Sequence, residues 1–171
     1  MTGAFALAVS DAVRAGTEDL VGRAGGAAAA LTTIVQFPDR SVEFLRRAIG
    51  LSHSATVRVV DQLVADGLVL RARSASGPAV ALTATSAGHD LAAAVLARRQ
   101  QVLVDAVSGL TDAEAAVLTS LLDALLIRVA DDSGTTACRL CDQQQCRARG
   151  CPVVGRLTEL GAPPTAPGPP T

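Results

Sequence analysis

Cys138, Cys141, Cys146 and Cys151 are all the cysteines of this chain and follow one another as C-x2-C-x4-C-x4-C. Thiolates at this spacing, carried on turns, can surround one tetrahedral ion. Clustering of this kind, in a reducing compartment, favours a metal or redox site over structural disulfides. The spacing is that of a zinc knuckle with cysteine in place of its histidine, but no aromatic residue lies between 138 and 151 to stack on a base, so the segment does not point to nucleic acid. Four thiolates around zinc carry a formal charge of about −2, which Arg139, Arg147, Arg149 and Arg156 can offset while lowering the thiol pKa values. Zinc is the expected occupant, and an iron–sulfur cluster or a metal-free thiol switch are the alternatives.

A second chemical feature is a segregation of charge that the net value of −1 conceals. All the basic side chains are arginines. Residues 40–73 hold Arg40, Arg46, Arg47, Arg58, Arg71 and Arg73 against Glu43, Asp61 and Asp66, whereas residues 84–132 are net acidic. The first segment can face a polyanion and the second cannot. His53 and His89 lack the neighbours of a catalytic base, the glycines at 22–26 lack the Lys-Ser or Lys-Thr of a phosphate loop, and no nucleophile–base–acid set stands out, so nothing speaks for an enzyme.

The elements that must position these residues follow from periodicity. The chain is 171 residues long, 49% hydrophobic and only 2% aromatic, enough for one compact domain with a small appendage. Phe5, Val9, Ala12, Val13, Gly16, Leu20 and Val21 recur at helical spacing, and a second helix is expected from Ala27 to Gln36, before Pro38. Asp39 or Ser41 can cap a third through Ile49, with Arg46 and Arg47 outward; Gly50 then turns the chain, and Ser52 or Ser54 caps a fourth reaching Asp66, with Val59, Val60 and Leu63 inward. Two short strands around Ser74–Pro78 come next, and then a helix from Ser86 to Leu110, about 37 Å long. Thr111 and Glu114 form a capping box for a last helix to about Ala130, whose near-continuous apolar residues call for a second subunit. The tail from Gly161, with five prolines, has the composition of disorder. No apolar run reaches membrane-spanning length, and Met1–Ser10 lacks the basic residue of a secretory signal, so a cytoplasmic, nucleoid-associated protein is expected.

Two short helices around a glycine turn have the proportions of a helix-turn-helix, and the hairpin after them those of a wing. Through "GLSHSATVRVVDQLVADGLVLRAR", "VALTATSAGHDL" and "GLTDAEAAVLTSLLDALL" the chain resembles the multiple-antibiotic-resistance regulator (MarR) family of winged helix-turn-helix transcription factors, over about residues 5–130. The expected fold is mainly α with a small β-hairpin wing, a winged helix-turn-helix with long dimerisation helices. The resemblance implies a homodimer on a pseudo-palindromic operator, with Phe5, Val9, Leu118, Leu122, Leu125 and Val129 in the interface.

Along the chain this gives N-terminal dimerisation and support helices (1–36), a DNA-binding lobe (37–83), dimerisation helices (84–130), a linker and four-cysteine segment (131–160) and the proline-rich tail (161–171). The DNA-facing set is His53, Ser54, Val57 and Arg58 at the start of the recognition helix, with Arg58 on guanine, Val57 on a thymine methyl and Ser54 on a base or phosphate. Arg46 and Arg47 would sit on phosphates. Family members usually carry Asp-x-Arg at the wing tip; here the tip is uncharged, and Arg71 and Arg73 just before it substitute. The functional expectation is a DNA-binding regulator, acting as a repressor, with a four-cysteine zinc or redox-sensing site. One alternative releases DNA when a small aromatic molecule fills a cleft between the dimerisation helices and the DNA-binding lobe, the cysteines being structural. The other is a winged helix that binds a protein partner and no DNA.

Overall fold

The computed structural model describes residues 1–23, 25–73, 80–129 and 138–153, without the side chains of residues 73, 144 and 147. The wing tip at 74–79, the linker expected at 131–137, Arg156, the Arg73 side chain and the proline-rich tail lie outside the described residues. The elements run α1 (Thr2–Val21), α2 (Ala27–Gln36), α3 (Val42–Ile49), α4 (His53–Ala65), β1 (Val69–Arg73), β2 (Val80–Ala84), α5 (Ser86–Val107), α6 (Asp112–Val129) and, in the cysteine segment, α7 (Gln143–Ala148). This is the mainly helical winged architecture expected from the sequence. Among the described residues no helix is long and apolar enough to cross a membrane.

The starts of α3, α4 and α5 are set by hydroxyls. Ser41 accepts from the Phe44 N–H, Ser52 from Ala55 and Thr85 from Gly88, each satisfying an orphan donor of the first turn. The capping box of α6 is formed in both directions, the Thr111 N–H donating to Glu114 Oε2 at 2.8 Å and the Glu114 N–H to Thr111 Oγ1 at 3.4 Å. Helix α5 ends at Val107, three residues earlier than the apolar pattern suggests, because the Ser108 hydroxyl bonds back to the Asp105 carbonyl ahead of Gly109.

Helix α2 is the hub. Ala27–Ala30, Leu31 and Ile34 are all buried, and α2 packs against α1, α3, α4, β2 and α5. Four successive small side chains allow that close approach, and the buried Thr32 hydroxyl is satisfied by the Ala28 carbonyl at 2.8 Å. Leu45, Val60, Leu63, Val69, Leu82 and Val95 complete the core from the other elements. The strands pair antiparallel, Val69 opposite Ala84 and Arg73 opposite Val80. A further short pairing, not expected from the sequence, joins Arg40 to Leu82, with the Leu82 N–H donating to the Arg40 carbonyl at 3.0 Å. It fastens the start of α3 to the wing.

Helix α6 buries no residue at all in the single chain. Neither does the first half of α1, where Phe5 is 54% exposed, and an open apolar groove runs between Phe5, Val107, Leu110, Val117 and Leu121. Of the α1 stripe, Leu20 is exposed and Thr17 is buried instead, its hydroxyl capped by the Val13 carbonyl at 2.8 Å.

Gly88, in the first turn of α5, sits against the Leu68 carbonyl, which also accepts the Thr85 N–H at 3.0 Å. A Cβ at residue 88 would fall inside van der Waals distance of that oxygen, and neither backbone can yield. Gly88→Ala should therefore lower stability by about 1–3 kcal/mol, read as an earlier urea midpoint, through displacement of α5 from the β1 start.

Candidate DNA interface and cysteine site

Helix α4 turns His53, Ser54 and Arg58 to solvent, leaves Val57 half-buried, and buries Thr56, Val59, Val60 and Leu63. The residues expected to read bases therefore share one face at the start of the helix. The alternation follows from helical spacing, since positions three and four apart share a side. The Thr56 hydroxyl bonds the Ser52 carbonyl at 2.9 Å, so it too is spent internally.

Around that face the arginines are held by carboxylates. Arg46 makes two bonds to Glu43, at 2.9 and 2.8 Å, and Arg47 a third at 3.0 Å. Arg71 on β1 reaches Asp61 on α4 at 2.7 Å, tying the wing to the recognition helix. Arg23, just past α1, grips Asp66 at the end of α4 with two bonds of 2.7 Å. The same pair holds the Asp66 carboxyl below its usual range, and hydrogen bonds from Arg46 and then Arg47 bring Glu43 down to about 2. Sequence reasoning placed Arg46, Arg47 and Arg71 on the polyanion-facing side but missed these pairings; only the Glu43–Arg46 and Glu43–Arg47 spacings, three and four residues on one helix, could have signalled them.

The four thiols are brought together. Hydrogen bonding links Cys138 with Cys141 and Cys141 with Cys146, while Cys151 lies within electrostatic reach of Cys138 and Cys146. The Cys141 N–H donates to the Cys138 carbonyl at 2.9 Å, forming the first turn. Gly150, at φ 72°, ends α7 in a left-handed turn whose Cys151 N–H returns to the Cys146 carbonyl at 3.1 Å, which swings the last cysteine back onto the others. The hydrogen bond from Cys138 favours the Cys141 thiolate, aided by Arg99 and Arg139, whereas burial pushes Cys146 up to about 11. Among the described residues no three Cys, His, Asp or Glu side chains stand as a formed metal-holding group, so ligation asks the sulfurs to turn from one another toward a common centre. Arg99, on α5, acts on Cys141 and Cys146 and is a cation that sequence reasoning did not place at this site. Beside it, Ser10, Arg14, Thr17, Arg99, Arg139 and Leu140 line a cavity of about 310 Å³ between α1, α2, α5 and the cysteine segment.

Residues 22–77, which include α2, the helix-turn-helix and β1, match the MarR family model. The fold is that of the MarR family. The chain resembles a MarR family protein of Mycobacterium tuberculosis solved with salicylic acid, at 22% identity over 72% of this chain and 92% of that one, with a TM-score of 0.58. It resembles that protein solved with DNA at 21% identity, covering 72% and 95%, with a TM-score of 0.56. It also resembles wild-type MarR of E. coli in its apo form, at 19% identity over 72% and 96%, with a TM-score of 0.60. No match is found among curated protein sequences. In MarR terms α3 and α4 are the helix-turn-helix, β1 and β2 the wing, and α1, α5 and α6 the remaining long helices, and the cysteine segment follows the last of them.

The Glu43 cluster has a definite pH signature. A carboxyl whose pKa is depressed on folding adds stability that is fully present above its unfolded value and is lost as pH falls toward the folded one. The melting temperature of the wild type should exceed that of Glu43→Gln by a constant margin between pH 6 and 8 (about neutral, well above ~4.3), and the margin should shrink through pH 4 toward about 2. A margin that grows on acidification would refute the pairing.

Proposed function

We propose that the protein is a homodimeric DNA-binding transcriptional repressor of the cytoplasm whose four cysteines bind zinc. The observation that carries the reading is the α4 face: His53, Ser54 and Arg58 exposed together at the capped start of a helix that is locked to the wing by Arg71–Asp61. A helix presented in this way can enter a major groove, with Arg58 giving a bidentate contact to guanine. The Mycobacterium relative of the same fold is solved with DNA, which supports the assignment.

Dimerisation is required by the apolar surface. Phe5, Leu122, Leu125 and Val129 are exposed and Val9 and Leu118 are half-buried in the single chain, so the six residues expected at the interface lie on the surface that a second copy would cover. For the cysteines, zinc suits an all-thiolate donor set carried on tight turns, and the Arg99 and Arg139 side chains offset its charge. An iron–sulfur cluster uses the same four ligands and would make the site a redox sensor. The cavity beside Arg99 favours one further element, release of DNA by a small aromatic carboxylate, as the salicylic acid complex of the relative suggests.

Binding to duplex DNA should weaken steeply with salt, and Arg58→Ala should cost about 10- to 100-fold in affinity for the preferred operator while leaving nonspecific binding nearly unchanged. Uniform loss on all sequences would reduce Arg58 to a phosphate contact, and salt-insensitive or absent binding would favour the protein-partner alternative. Metal analysis of protein purified without oxygen should give about one zinc per chain and no visible absorbance. A broad band near ~400 nm with iron and acid-labile sulfide would assign the cluster instead.

A further inference from the structure

The cysteine segment is seated on the body of the protein by contacts that include Leu140 and Gln143. Leu140, between the first two cysteines, packs on the core cluster, and Val153, beyond the last, is only 4% exposed. Between them the backbone N–H of Gln143 donates to Oε1 of Gln36 at 2.9 Å. Gln143 opens α7, so its N–H is one of the donors that a helix cannot satisfy itself, and it takes its partner from a side chain far away in sequence.

Gln36 is the last residue of α2, at the point where the chain passes into the DNA-binding lobe. Phe37 follows it, buried, its ring edge-on to Phe44 of α3 at 5.3 Å, and Arg40 lies over the same Phe44 ring. The cysteine loop is thus bonded to the residue from which the helix-turn-helix is suspended.

We infer that Gln36 is the positioning residue through which occupancy of the cysteine site is communicated to the DNA-binding lobe. This rests on the reading of the chain as a DNA-binding protein with a metal at its cysteines. In the structure Gln143 holds Gln36 while the thiols are paired with one another, and gathering the sulfurs onto one ion must turn them and reshape the cysteine loop around that bond. The ion-bound and ion-free loops therefore load the Gln143–Gln36 bond and the Leu140 contact differently. Because coupling between two sites is reciprocal, DNA must raise or lower zinc affinity by the same factor that zinc changes DNA affinity.

The test compares the full chain, zinc-loaded and chelator-stripped, as wild type, Gln36→Leu, which removes the acceptor, and Gln36→Glu, which keeps one. Wild-type affinity for duplex DNA should differ between the two forms by about fivefold or more. Gln36→Leu should bind the same amount of zinc yet show a difference below about twofold, and Gln36→Glu should restore it. Hydrogen exchange of the amides at residues 34–37 should change on zinc binding in the wild type and in Gln36→Glu, but not in Gln36→Leu. A Gln36→Leu protein that keeps the wild-type response, a wild type that shows none, or a chain that takes up no zinc would each overturn the inference. If no form binds DNA, the proposed function fails by itself, and a zinc-dependent change in exchange at 34–37 that is lost in Gln36→Leu alone would still sustain the link between the sites.

Discussion

The whole arrangement depends on α2 being a helix that is buried on nearly every side. Its residues from Ala27 to Ile34 are almost wholly excluded from water, with the helix-turn-helix against one flank and α1 and α5 against the other. A helix in that position has to be made of small or apolar residues whose polar groups are satisfied within the helix itself. AAAALTTIVQ meets the condition with four alanines for close approach and a threonine hydroxyl turned back on the preceding turn. Thr33 is the exception, its hydroxyl buried with no partner among the described residues. Any displacement at the end of α2 moves both flanks at once, because interiors packed at crystal-like density transmit shifts without absorbing them.

The long helices answer to the opposite constraint. Helix α6 presents leucines and valines along one broad face and buries none of them in one chain, so its sequence is written for a surface that the chain alone does not possess. Capping supports such a helix within the single chain: Thr111 and Glu114 satisfy each other's first-turn donors, and hydrogen bonds from the Thr111 backbone and hydroxyl hold the Glu114 carboxyl below its ordinary range. Local determinants fix the helix within the single chain.

What could be read from the sequence was mostly what is local. Ser41, Ser52 and the Thr111–Glu114 box mark helix starts through the chemistry of neighbours three residues apart, and the α4 face follows from spacing. The match of residues 22–77 to the MarR family model and the likeness in fold bear out the resemblance carried by the recognition-helix and wing segments. What was illegible depends on residues distant in sequence. Arg71 meets Asp61 only because the hairpin folds back over α4, Arg40 joins the wing sheet only because α3 is packed beneath it, and Gln143 finds Gln36 across most of the chain. The cysteine spacing announced a shared site but not that the segment between 138 and 153 is docked on α2 and α5, since Leu140 and Val153 have no periodicity to reveal where they bury.

The paired arginines also bear on how the proposed DNA-binding lobe would meet a polyanion. Arg46, Arg47 and Arg71 are each occupied by a carboxylate at 2.7–3.0 Å, while Arg58 is exposed on the reading face. Partly exposed ion pairs contribute little to stability, so exchanging Glu43 or Asp61 for a phosphate costs little and leaves the carboxylate to be hydrated. In the meantime the pairs hold the guanidinium groups at the edges of α3 and α4 in defined directions, reducing the side-chain entropy lost on contact. Each exchange also brings a carboxylate near a phosphate, which penalises any docking pose that does not seat the arginine. On the proposed reading, nonspecific attraction would be weakened more than a well-registered complex, which would leave discrimination to Arg58, Ser54 and His53. The sequence from Ser74 to Pro78 carries no charge, which on the proposed reading would move the balance in the same direction.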